Sequence, residues 1–483
     1  MKELPPTDAV VVGSGPNGLA GAIELARAGL SVTLLEGEDT IGGGARSAEL
    51  TLPGFVHDVC SAIYPLGIGS PFFSTLPLAE HGLEWIHPPA PLAHPLDDGS
   101  AVMLERSLHE TCMNLGDDSA AYRDLMGPLV EEWPKLAGEI LAPPHIPGHP
   151  LLLARFARHG VRSAQALAEG RFTGRRARAL LAGLAAHSFL PLDRPVSAAV
   201  GLVLGLLGHA VGWPVSRGGA ARLSGALAAY FESLGGRIET SAPVRSLDEL
   251  PQARPILLDV TPRQLIQIAG DRLGSRYRKQ LQSYRYGPGV FKLDWALSGP
   301  IPWRSADCAR AGTVHLGGAL EEIALGEKEV WRGRHPDKPF VLLAQQSLFD
   351  SSRAPDGKHT GWAYCHVPNG STVDMTEAIE GQVERFAPGF RELILARSTR
   401  TAAEYQLYNP NFIGGDINGG MQDLRQLFTR PVLRLDPYST PNPRIFICSS
   451  STPPGGGVHG LCGFHAARST LRRAGLVRAA ASL

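Results

Sequence analysis

Short apolar segments alternate with an alanine-rich helical segment at the beginning of the chain. DAVVVG (8–13) predicts a buried strand, residues 16–29 predict a helix, and SVTLLE (31–36) predicts a second strand. A strand, a helix and a strand in this order form a β-α-β unit, whose two strands lie parallel in one sheet. The chain is therefore predicted to begin with an α/β domain built on a parallel sheet.

Two later regions repeat this pattern. A helical pattern at 220–236 precedes the strand-like segments RIETSAPVRSL (237–247) and PILLDVTP (255–262). Near the end, RIFICSS (444–450) precedes a helical pattern at 458–480. The sequence therefore predicts that three separated pieces of chain form one parallel sheet.

The regions between these pieces have a different character. Residues 105–210 are mostly helical in pattern, 288–300 and 313–367 contain strand-like runs, and 371–387 predicts an amphipathic helix. We therefore expect a discontinuous α/β nucleotide-binding domain with an interleaved α+β substrate domain. The first domain is predicted to comprise 1–95, 212–275 and 425–483, and the second to comprise a mostly helical segment, 96–211, and a strand-rich segment, 276–424.

Charge and cysteine usage exclude several function classes. The 46 basic and 46 acidic residues cancel, so no net field favours nucleic acid or an anionic membrane. The six cysteines are scattered without a C-x-x-C pair, which argues against a disulfide scaffold, a zinc site or a redox-active disulfide. No apolar stretch of signal-peptide length precedes the first strand. We expect a cytoplasmic protein without a metal.

The longest apolar run is AAVGLVLGLLGHAVGW (198–213). It is shorter than the ~20 residues that span a bilayer, and it contains His209, so no transmembrane helix is expected. A surface helix in contact with lipid is still compatible with this composition, and peripheral membrane contact is one hypothesis for the protein.

A glycine motif follows the first strand and opens the first helix. Gly13, Gly15 and Gly18 have the spacing G-x-G-x-x-G, and Glu36 stands at the end of the next strand. The first glycine allows a tight turn, the second lets a diphosphate approach the backbone, and the third lets the helix pack closely on the sheet. The helix N-terminus favours the phosphate charge, and Glu36 is expected to accept hydrogen bonds from the ribose hydroxyls. This arrangement predicts a dinucleotide site.

A second glycine-rich loop distinguishes between dinucleotides. IGGGARS places Gly42, Gly43, Gly44 and Arg46 shortly after Glu36. This segment resembles the GG-x-x-R segment of the FAD-binding amine-oxidase and phytoene-desaturase superfamily. The sequence contains no second G-x-G-x-x-G, so a separate NAD(P) domain is not expected. FAD is the predicted cofactor, and the fold implied is that of a GR2-type flavoprotein.

The segment STPPGGGVHGLCGFHAA (451–467) is predicted to be the third cofactor element. Backbone amides around Gly457, Val458 and His459, at the start of the last helix, would donate to the pyrimidine carbonyls of a flavin. With IGGGARS, GFVHDVCSAIYPL and GGDINGGMQDL, this segment resembles the phytoene-desaturase-like flavoproteins. Within them the chain resembles the branch of carotene ketolases and pyridine-nucleotide-disulphide-oxidoreductase-domain-2 proteins, to which retinol saturases are more distant relatives.

The resemblance has one departure. Many flavoproteins of this superfamily carry Gly-Asp where this chain has Ser449-Ser450, and serine keeps a hydrogen bond but not the charge. The predicted cofactor-binding residues are Gly13, Ser14, Gly15, Pro16, Asn17, Gly18, Glu36, Gly43, Gly44, Ala45, Arg46, Val244, Ser450, Gly457, Val458 and His459.

Three residues are predicted to be catalytic. Lys292 and Asp294 alternate on a strand, and the amine-oxidase superfamily has a lysine on a comparable strand that positions a water at flavin N5. The alternative is a lysine that pairs with Asp294 or faces solvent. His459 either lines the pocket or caps the last helix. Asp416, in a Gly- and Asn-rich loop, is either close to substrate or stabilises a turn.

The adjacent residues His57 and Asp58 could shuttle a proton near neutral pH. Neighbouring residues of a strand point to opposite faces, which favours the alternative that these are polar residues at a domain junction.

These observations predict an FAD-dependent oxidoreductase that transfers hydride between flavin N5 and a small hydrophobic, polyene- or isoprenoid-like substrate. Desaturation, saturation, ketolation and isomerisation all fit the predicted apparatus. Two alternatives stay open: a flavin amine oxidase, which predicts an aromatic cage, and a flavin-binding scaffold or chaperone without turnover.

Overall fold

The computed structural model describes residues 7–476 of the chain. Within them, sixteen strands and seventeen α-helices follow one another along the chain. The strands are β1 Ala9–Val12, β2 Val32–Leu35, β3 Ser47–Glu49, β4 Val56–Asp58, β5 Trp85–Ile86, β6 Ala90–Pro95, β7 Ala101–Leu104, β8 Val215–Ser216, β9 Arg237–Glu239, β10 Ile256–Leu258, β11 Gly289–Leu297, β12 Ala311–Leu316, β13 Val341–Ala344, β14 His359–Val367, β15 Ile394–Arg400 and β16 Ile445–Ile447.

The helices lie between these strands and after the last of them. They are α1 Pro16–Arg27, α2 Pro65–Ile68, α3 Leu108–Leu115, α4 Ser119–Glu131, α5 Trp133–Ile140, α6 Pro150–Gly160, α7 Ala164–Arg171, α8 Arg175–Ala186, α9 Ser197–Ala210, α10 Ala220–Ser233, α11 Pro262–Ala269, α12 Ser275–Gln282, α13 Leu320–Trp331, α14 Thr376–Phe386, α15 Ala402–Tyr408, α16 Leu424–Leu427 and α17 Leu461–Arg473.

A five-stranded parallel sheet, in the order β16-β10-β1-β2-β9, confirms the predicted α/β fold. Its central strands are fully buried because helices cover both faces, which explains their uninterrupted apolar sequences. Alternate residues of β1 point to opposite faces: Val11 packs with α1, α10 and α17, whereas Val10 packs with α11 and α12. The sheet draws its strands from three separated pieces of chain, as the sequence pattern indicates.

One strand of this sheet is shorter than its sequence suggests. RIETSAPVRSL predicts a strand over 237–247, but β9 ends at Glu239. Ser241 has a positive φ of 53°, and Pro243 has no N–H to give to a neighbouring strand. The chain therefore leaves the sheet after Glu239, and Val244 lines a cavity beside the sheet.

A second, seven-stranded sheet has the order β15-β11-β14-β13-β12-β6-β7. Its neighbouring strands are antiparallel except β12 and β6, which are parallel. One face packs against α14, and the other carries Trp362 and Tyr364 toward the core shared with the helices of the first half of the chain. Strand β6 belongs to this sheet although it lies within 1–95, the range predicted for the first part of the α/β domain. The predicted boundaries stay predictions.

The chain between β7 and β8 contains α3 to α9, in agreement with the mostly helical pattern of 105–210. Helix α9 forms from the longest apolar run, and Leu202, Leu206 and Leu207 are buried in the core. A helix that is apolar on all sides is expected in a protein interior, so the hypothesis that this run lies on a lipid surface is wrong. Across residues 7–476, no helix has both the length and the apolar character needed to cross a membrane.

Candidate functional site

The turn between β1 and α1 has no room for a side chain at Gly18 and needs the positive φ of a glycine at Gly13. Gly13 has a φ of +97°, and its N–H donates to the Leu35 carbonyl at 2.8 Å. A Cβ on Gly18 would overlap the Gly13 carbonyl oxygen. The turn therefore brings the N-terminus of α1 against the end of β1, as the spacing of the glycines predicts.

The Glu36 carboxylate joins this turn to the second glycine loop. It accepts hydrogen bonds from the Ser14 N–H at 2.9 Å, from the Ser14 hydroxyl and from the Glu38 N–H at 3.0 Å. Arg46 lies 3.3 Å from the same carboxylate and donates to the Thr40 and Ile41 carbonyls. Glu36 thus has a structural role that the sequence did not reveal, and its contact with ribose stays a prediction.

A cavity of about 500 Å³ opens along the two glycine loops; we call it the dinucleotide cavity. The loop after β9, the end of β10 and residues 408–412 form its other walls. Most of the predicted cofactor-binding residues line it: Gly13, Ser14, Gly15, Pro16, Asn17, Glu36, Gly43, Gly44, Arg46, Val244 and Ser450.

A second cavity of about 270 Å³, which we call the chamber, adjoins the first. The two share wall residues, so one ligand can extend from one into the other: Pro16, Asn17, Gly44, Phe412, Ile417 and Ser450. Strand β14, helix α9 and the segment 60–66 supply other parts of the chamber wall. Besides the shared residues, three predicted cofactor residues, Ala45, Gly457 and Val458, lie in this wall, whereas Gly18 and His459 lie outside both linings.

The titratable side chains of the chamber wall are shifted toward their neutral forms. Burial raises the pKa of Cys60 to about 11 and lowers the pKa of His187 to about 3. Burial also raises the pKa values of the Tyr64 and Tyr364 hydroxyls. Among residues 7–476, no Asp, Glu, Lys or Arg side chain lines the chamber. The wall is therefore uncharged at neutral pH.

Lys292 lies behind the chamber wall. Its ammonium pairs with Asp294 and lies 5.7 Å from the ring centroid of Trp362, which lines the chamber. Burial lowers the pKa of Lys292, against the opposing effect of Asp294. The structure thus contains the Lys292–Asp294 pair that the sequence offered as an alternative, and a catalytic role of Lys292 stays a prediction.

His57 and Asp58 point to opposite sides of β4, as adjacent strand residues do. His57 Nδ1 lies 3.5 Å from Asp294 Oδ1, whereas Asp58 forms a buried ion pair with Arg353 at 2.8 Å. The two side chains therefore belong to separate polar clusters at the junction between the sheets, and they do not form a proton-transfer pair with each other.

The other two predicted catalytic residues bind backbone groups. His459 Nδ1 accepts a hydrogen bond from the Leu461 N–H at 3.0 Å, at the start of α17, and burial lowers its pKa to about 4. Asp416 accepts hydrogen bonds from the Gly287 and Asn418 amides at 2.7 and 2.8 Å, and burial raises its pKa. These contacts are those of a helix cap and of a loop-stabilising carboxylate; direct catalysis by either residue stays a prediction.

The sequence reasoning missed much of the chamber wall. Trp362 and Tyr364 alternate on β14 and their rings are perpendicular, with centroids 5.3 Å apart. The alternation of large aromatic residues in GWAYCH was a signal for one functional face of a strand. Cys60 and His187 carried no such signal, because the tertiary fold alone brings them to the chamber.

The two cavities fit FAD. The glycine backbone can approach a diphosphate, Glu36 and Val244 line the dinucleotide cavity, and the chamber that adjoins it is uncharged and partly aromatic. The residues that would hold the cofactor are therefore those of the two glycine loops, with Ser450 and Gly457 at the chamber end.

Comparisons with known proteins agree with this geometry. Residues 11–75 match the family of NAD(P)-binding Rossmann-like domains. The chain is 27% identical to the pyridine nucleotide-disulfide oxidoreductase domain-containing protein 2 of Mus musculus, over 97% of this chain and 94% of the mouse protein. It is 23% identical to the phytoene desaturase (lycopene-forming) of Paracoccus sp. (strain N81106 / MBIC 01143), over 51% of this chain and 52% of the other.

Solved structures show a similar overall fold. Wild-type putrescine oxidase bound to putrescine superposes with a TM-score of 0.61 at 19% identity, over 97% of this chain and 99% of the oxidase. Together with the two cavities, these findings support FAD as the cofactor. Residues 11–75 therefore form a NAD(P)-binding Rossmann-like domain, and the chain as a whole has the α/β fold of solved oxidoreductase structures.

Proposed function

We propose that the protein is an FAD-dependent oxidoreductase that acts on a neutral, hydrophobic, polyene- or isoprenoid-like substrate. The observation that carries this proposal is the uncharged chamber next to the dinucleotide cavity. A cofactor of this type supplies a two-electron acceptor or donor for a substrate carbon. The chain would bind the apolar substrate through Leu204, Leu342 and Trp362, and these side chains would keep water away from it.

The desaturase relative supports this substrate class, since its name states that it forms lycopene. The chamber wall supports it independently, because burial keeps His187, Cys60 and the two tyrosines neutral. A neutral wall has no opposite charge to compensate the desolvation of a charged substrate. An apolar chain loses no hydrogen bonds on entering it.

An amine oxidase is the second candidate, and the perpendicular pair of Trp362 and Tyr364 favours it. Aromatic faces attract cations, and an amine could bind against these rings. However, the Lys292 ammonium already lies 5.7 Å from the Trp362 ring centroid. The Trp362 ring therefore already has a cation within cation–π distance, which favours the neutral substrate in the chamber.

A carboxylate in the chamber wall tests this assignment. Leu66 is partly exposed in the wall, so aspartate can be accommodated there without disrupting a closed core. We expect Leu66→Asp to retain FAD but to reduce the rate of anaerobic flavin reduction by an apolar polyene by about tenfold or more, because the apolar contact is lost and a charge must be desolvated. Stopped-flow absorbance of the oxidised flavin measures this rate.

The matched control is Leu325→Asp, which places the same charge on the exposed surface of α13. It should reduce its flavin at the wild-type rate. If Leu66→Asp reacted with polyenes like the wild type, or if it and the wild type were reduced only by amines, the proposed substrate class would be wrong.

We further propose that an anionic lipid surface is the source of this substrate. Residues 141–162, which we call the α6 surface, contain no Asp or Glu and carry Arg155, Arg158 and Arg162. Within it, Ile146 and Leu151 are 93% and 87% exposed. Exposed apolar side chains flanked by arginines match the polar and apolar layers of an anionic bilayer surface.

The position of the α6 surface relative to the chamber supports this route. Helix α6 packs on α9: a Cβ added to Gly160 would lie 3.5 Å from the Cβ of Ala199. Leu204 of α9 lines the chamber. An apolar molecule that leaves a bilayer at this surface would therefore be one helix away from the chamber.

Ile146→Glu/Leu151→Glu tests the lipid contact. We expect the affinity of the double variant for vesicles of phosphatidylcholine and phosphatidylglycerol to fall by about tenfold or more. Two apolar side chains that could insert into the bilayer are lost, and two negative charges that the anionic lipid repels are added. Co-sedimentation measures the bound fraction. Leu433→Glu/Leu435→Glu, which changes another exposed apolar pair, should bind like the wild type. Equal binding by both double variants, or wild-type binding to neutral vesicles alone, would contradict the proposal.

A further inference from the structure

Asp259 occupies an unexpected position under the first glycine loop. It follows β10, and its side chain lines the dinucleotide cavity. Its Oδ2 accepts a hydrogen bond from the Gly18 N–H at 2.9 Å. A Cβ added to Gly15 would lie 2.8 Å from the same oxygen. A carboxyl group thus lies at the point where the glycine spacing leaves room for a diphosphate.

This carboxyl group caps α1 from a distance. Gly15, the N-cap residue of α1, has no side chain that could accept a hydrogen bond from the first turn. Asp259 supplies the missing acceptor for the Gly18 amide. An ionised carboxylate is favourable at a helix N-terminus, but a diphosphate uses the same partial positive charge. Two anions at one helix terminus repel each other, so the cofactor and an ionised Asp259 compete.

We propose that Asp259 binds the cofactor diphosphate as a neutral carboxylic acid, which accepts from the Gly18 amide with one oxygen and donates a hydrogen bond to a diphosphate oxygen with the other. Binding above neutral pH then includes the uptake of one proton by Asp259. Asp259 is in this proposal a cofactor-binding residue. The inference rests on FAD binding and not on the identity of the substrate.

The surroundings of Asp259 make the neutral acid accessible. Burial raises its pKa to about 7, the Gly18 hydrogen bond opposes this shift, and the Glu36 carboxylate adds to it. Two further titratable groups face it: Cys448, directly after β16, and Cys462 of α17; burial raises the pKa values of both thiols, so they are neutral at pH 7. Arg46 is engaged by Glu36 and by two backbone carbonyls. A bound diphosphate adds negative charge beside Asp259 and so raises its pKa further.

The sign of the pH dependence follows from this shift. The pKa of Asp259 is higher in the complex than in the protein without cofactor, so affinity is greatest where Asp259 is already protonated, below about pH 7. Affinity decreases as the pH rises above that value, because one proton must be taken up for each FAD bound. We expect the Kd of FAD to increase about tenfold for each pH unit above 7 until the pKa of the complex is reached.

Titration of the protein freed of flavin with FAD between about pH 6 and about pH 9, followed by flavin fluorescence, tests this inference. Asp259→Asn keeps an acceptor for the Gly18 amide and a donor for the diphosphate but has no titratable proton. It should bind FAD with the affinity of the wild type at low pH and with no dependence on pH, and at about pH 8.5 it should bind about tenfold or more tightly than the wild type.

Isothermal titration of the wild type in two buffers of different ionisation enthalpy provides a measurement that needs no variant. It should give an uptake of about one proton per FAD at about pH 8 and almost none at about pH 6. A pH-independent Kd of the wild type, an equal pH dependence in Asp259→Asn, or FAD binding without proton uptake would overturn the role of Asp259 and leave the FAD site intact. Failure to bind FAD at any pH would overturn both.

Discussion

Glu36→Arg should leave the protein unable to retain FAD, with a loss of affinity of about a hundredfold or more. The substitution removes the carboxylate expected to accept from the ribose hydroxyls, and charge-assisted hydrogen bonds of this kind contribute about 1.5–3 kcal/mol each. It also removes the acceptor of the Ser14 amide and places a second guanidinium beside Arg46. Flavin content after purification and the Kd for added FAD both measure the effect.

Two further variants separate the cofactor role of Glu36 from its structural role. Glu36→Gln keeps the acceptor oxygen but loses the charge that faces Arg46, so we expect an intermediate loss of affinity. Glu232→Arg makes the same charge change on the exposed side of α10 and should purify with full flavin. A Glu36→Arg protein as yellow as the wild type would show that the ribose assignment is wrong.

Lys292→Met should destabilise the protein by about 3–5 kcal/mol, because it leaves Asp294 as an uncompensated charge in the interior. Lys292→Met/Asp294→Leu removes both charges and should regain most of the lost stability. Denaturant unfolding, monitored on the flavin-free proteins, measures these differences. Lys328→Met is the matched control, since the Lys328–Asp193 pair is exposed and should contribute less than about 1 kcal/mol.

The same variants test whether Lys292 also acts on the flavin chemistry. If it positions a water near the cofactor, Lys292→Met retains FAD and slows flavin reduction or reoxidation. If both half-reactions keep their rates while stability falls, Lys292 has only the structural role. Equal stability of Lys292→Met and Lys328→Met would contradict the buried ion pair itself.

Local patterns predicted the parts of the site that local geometry determines. Gly13 is required by its φ of +97° and Gly18 by its contact with the Gly13 carbonyl oxygen, both within the turn, so the spacing of the glycines identified the turn correctly. The buried strands β1, β2, β10 and β16 were visible as apolar runs because both of their faces are covered. The helix cap made by His459 was one of two alternatives, since its contact to Leu461 is also local.

The remaining parts depend on contacts between distant residues. The hydrogen bond between Gly18 and Asp259 joins residues 241 positions apart, and the approach of His57 to Asp294 connects two sheets. Neither contact leaves a periodic signal in the sequence. The early end of β9 is a different case, because Pro243 was present in the sequence and indicated the break.

The α9 run shows how composition alone can mislead. An apolar helix is expected both in an interior and at a membrane, and only the packing of Leu202 and Leu206 distinguishes the two. The exposed apolar residues Ile146 and Leu151, in contrast, lie in a stretch whose prolines and arginines gave it an unremarkable average composition.

Anaerobic reduction of the bound flavin tests the central claim most directly. The purified protein with its FAD is mixed without oxygen with polyenes and other apolar isoprenoids, and separately with mono- and diamines, while the oxidised-flavin absorbance is recorded. The uncharged chamber predicts bleaching by an apolar isoprenoid and none by the amines. Bleaching by an amine alone would contradict the proposed substrate class. The contrary result for catalysis is a flavin that dithionite reduces but that isoprenoids do not affect. In that case isoprenoids neither reduce the oxidised flavin nor reoxidise the reduced flavin, which would favour a flavin-binding scaffold.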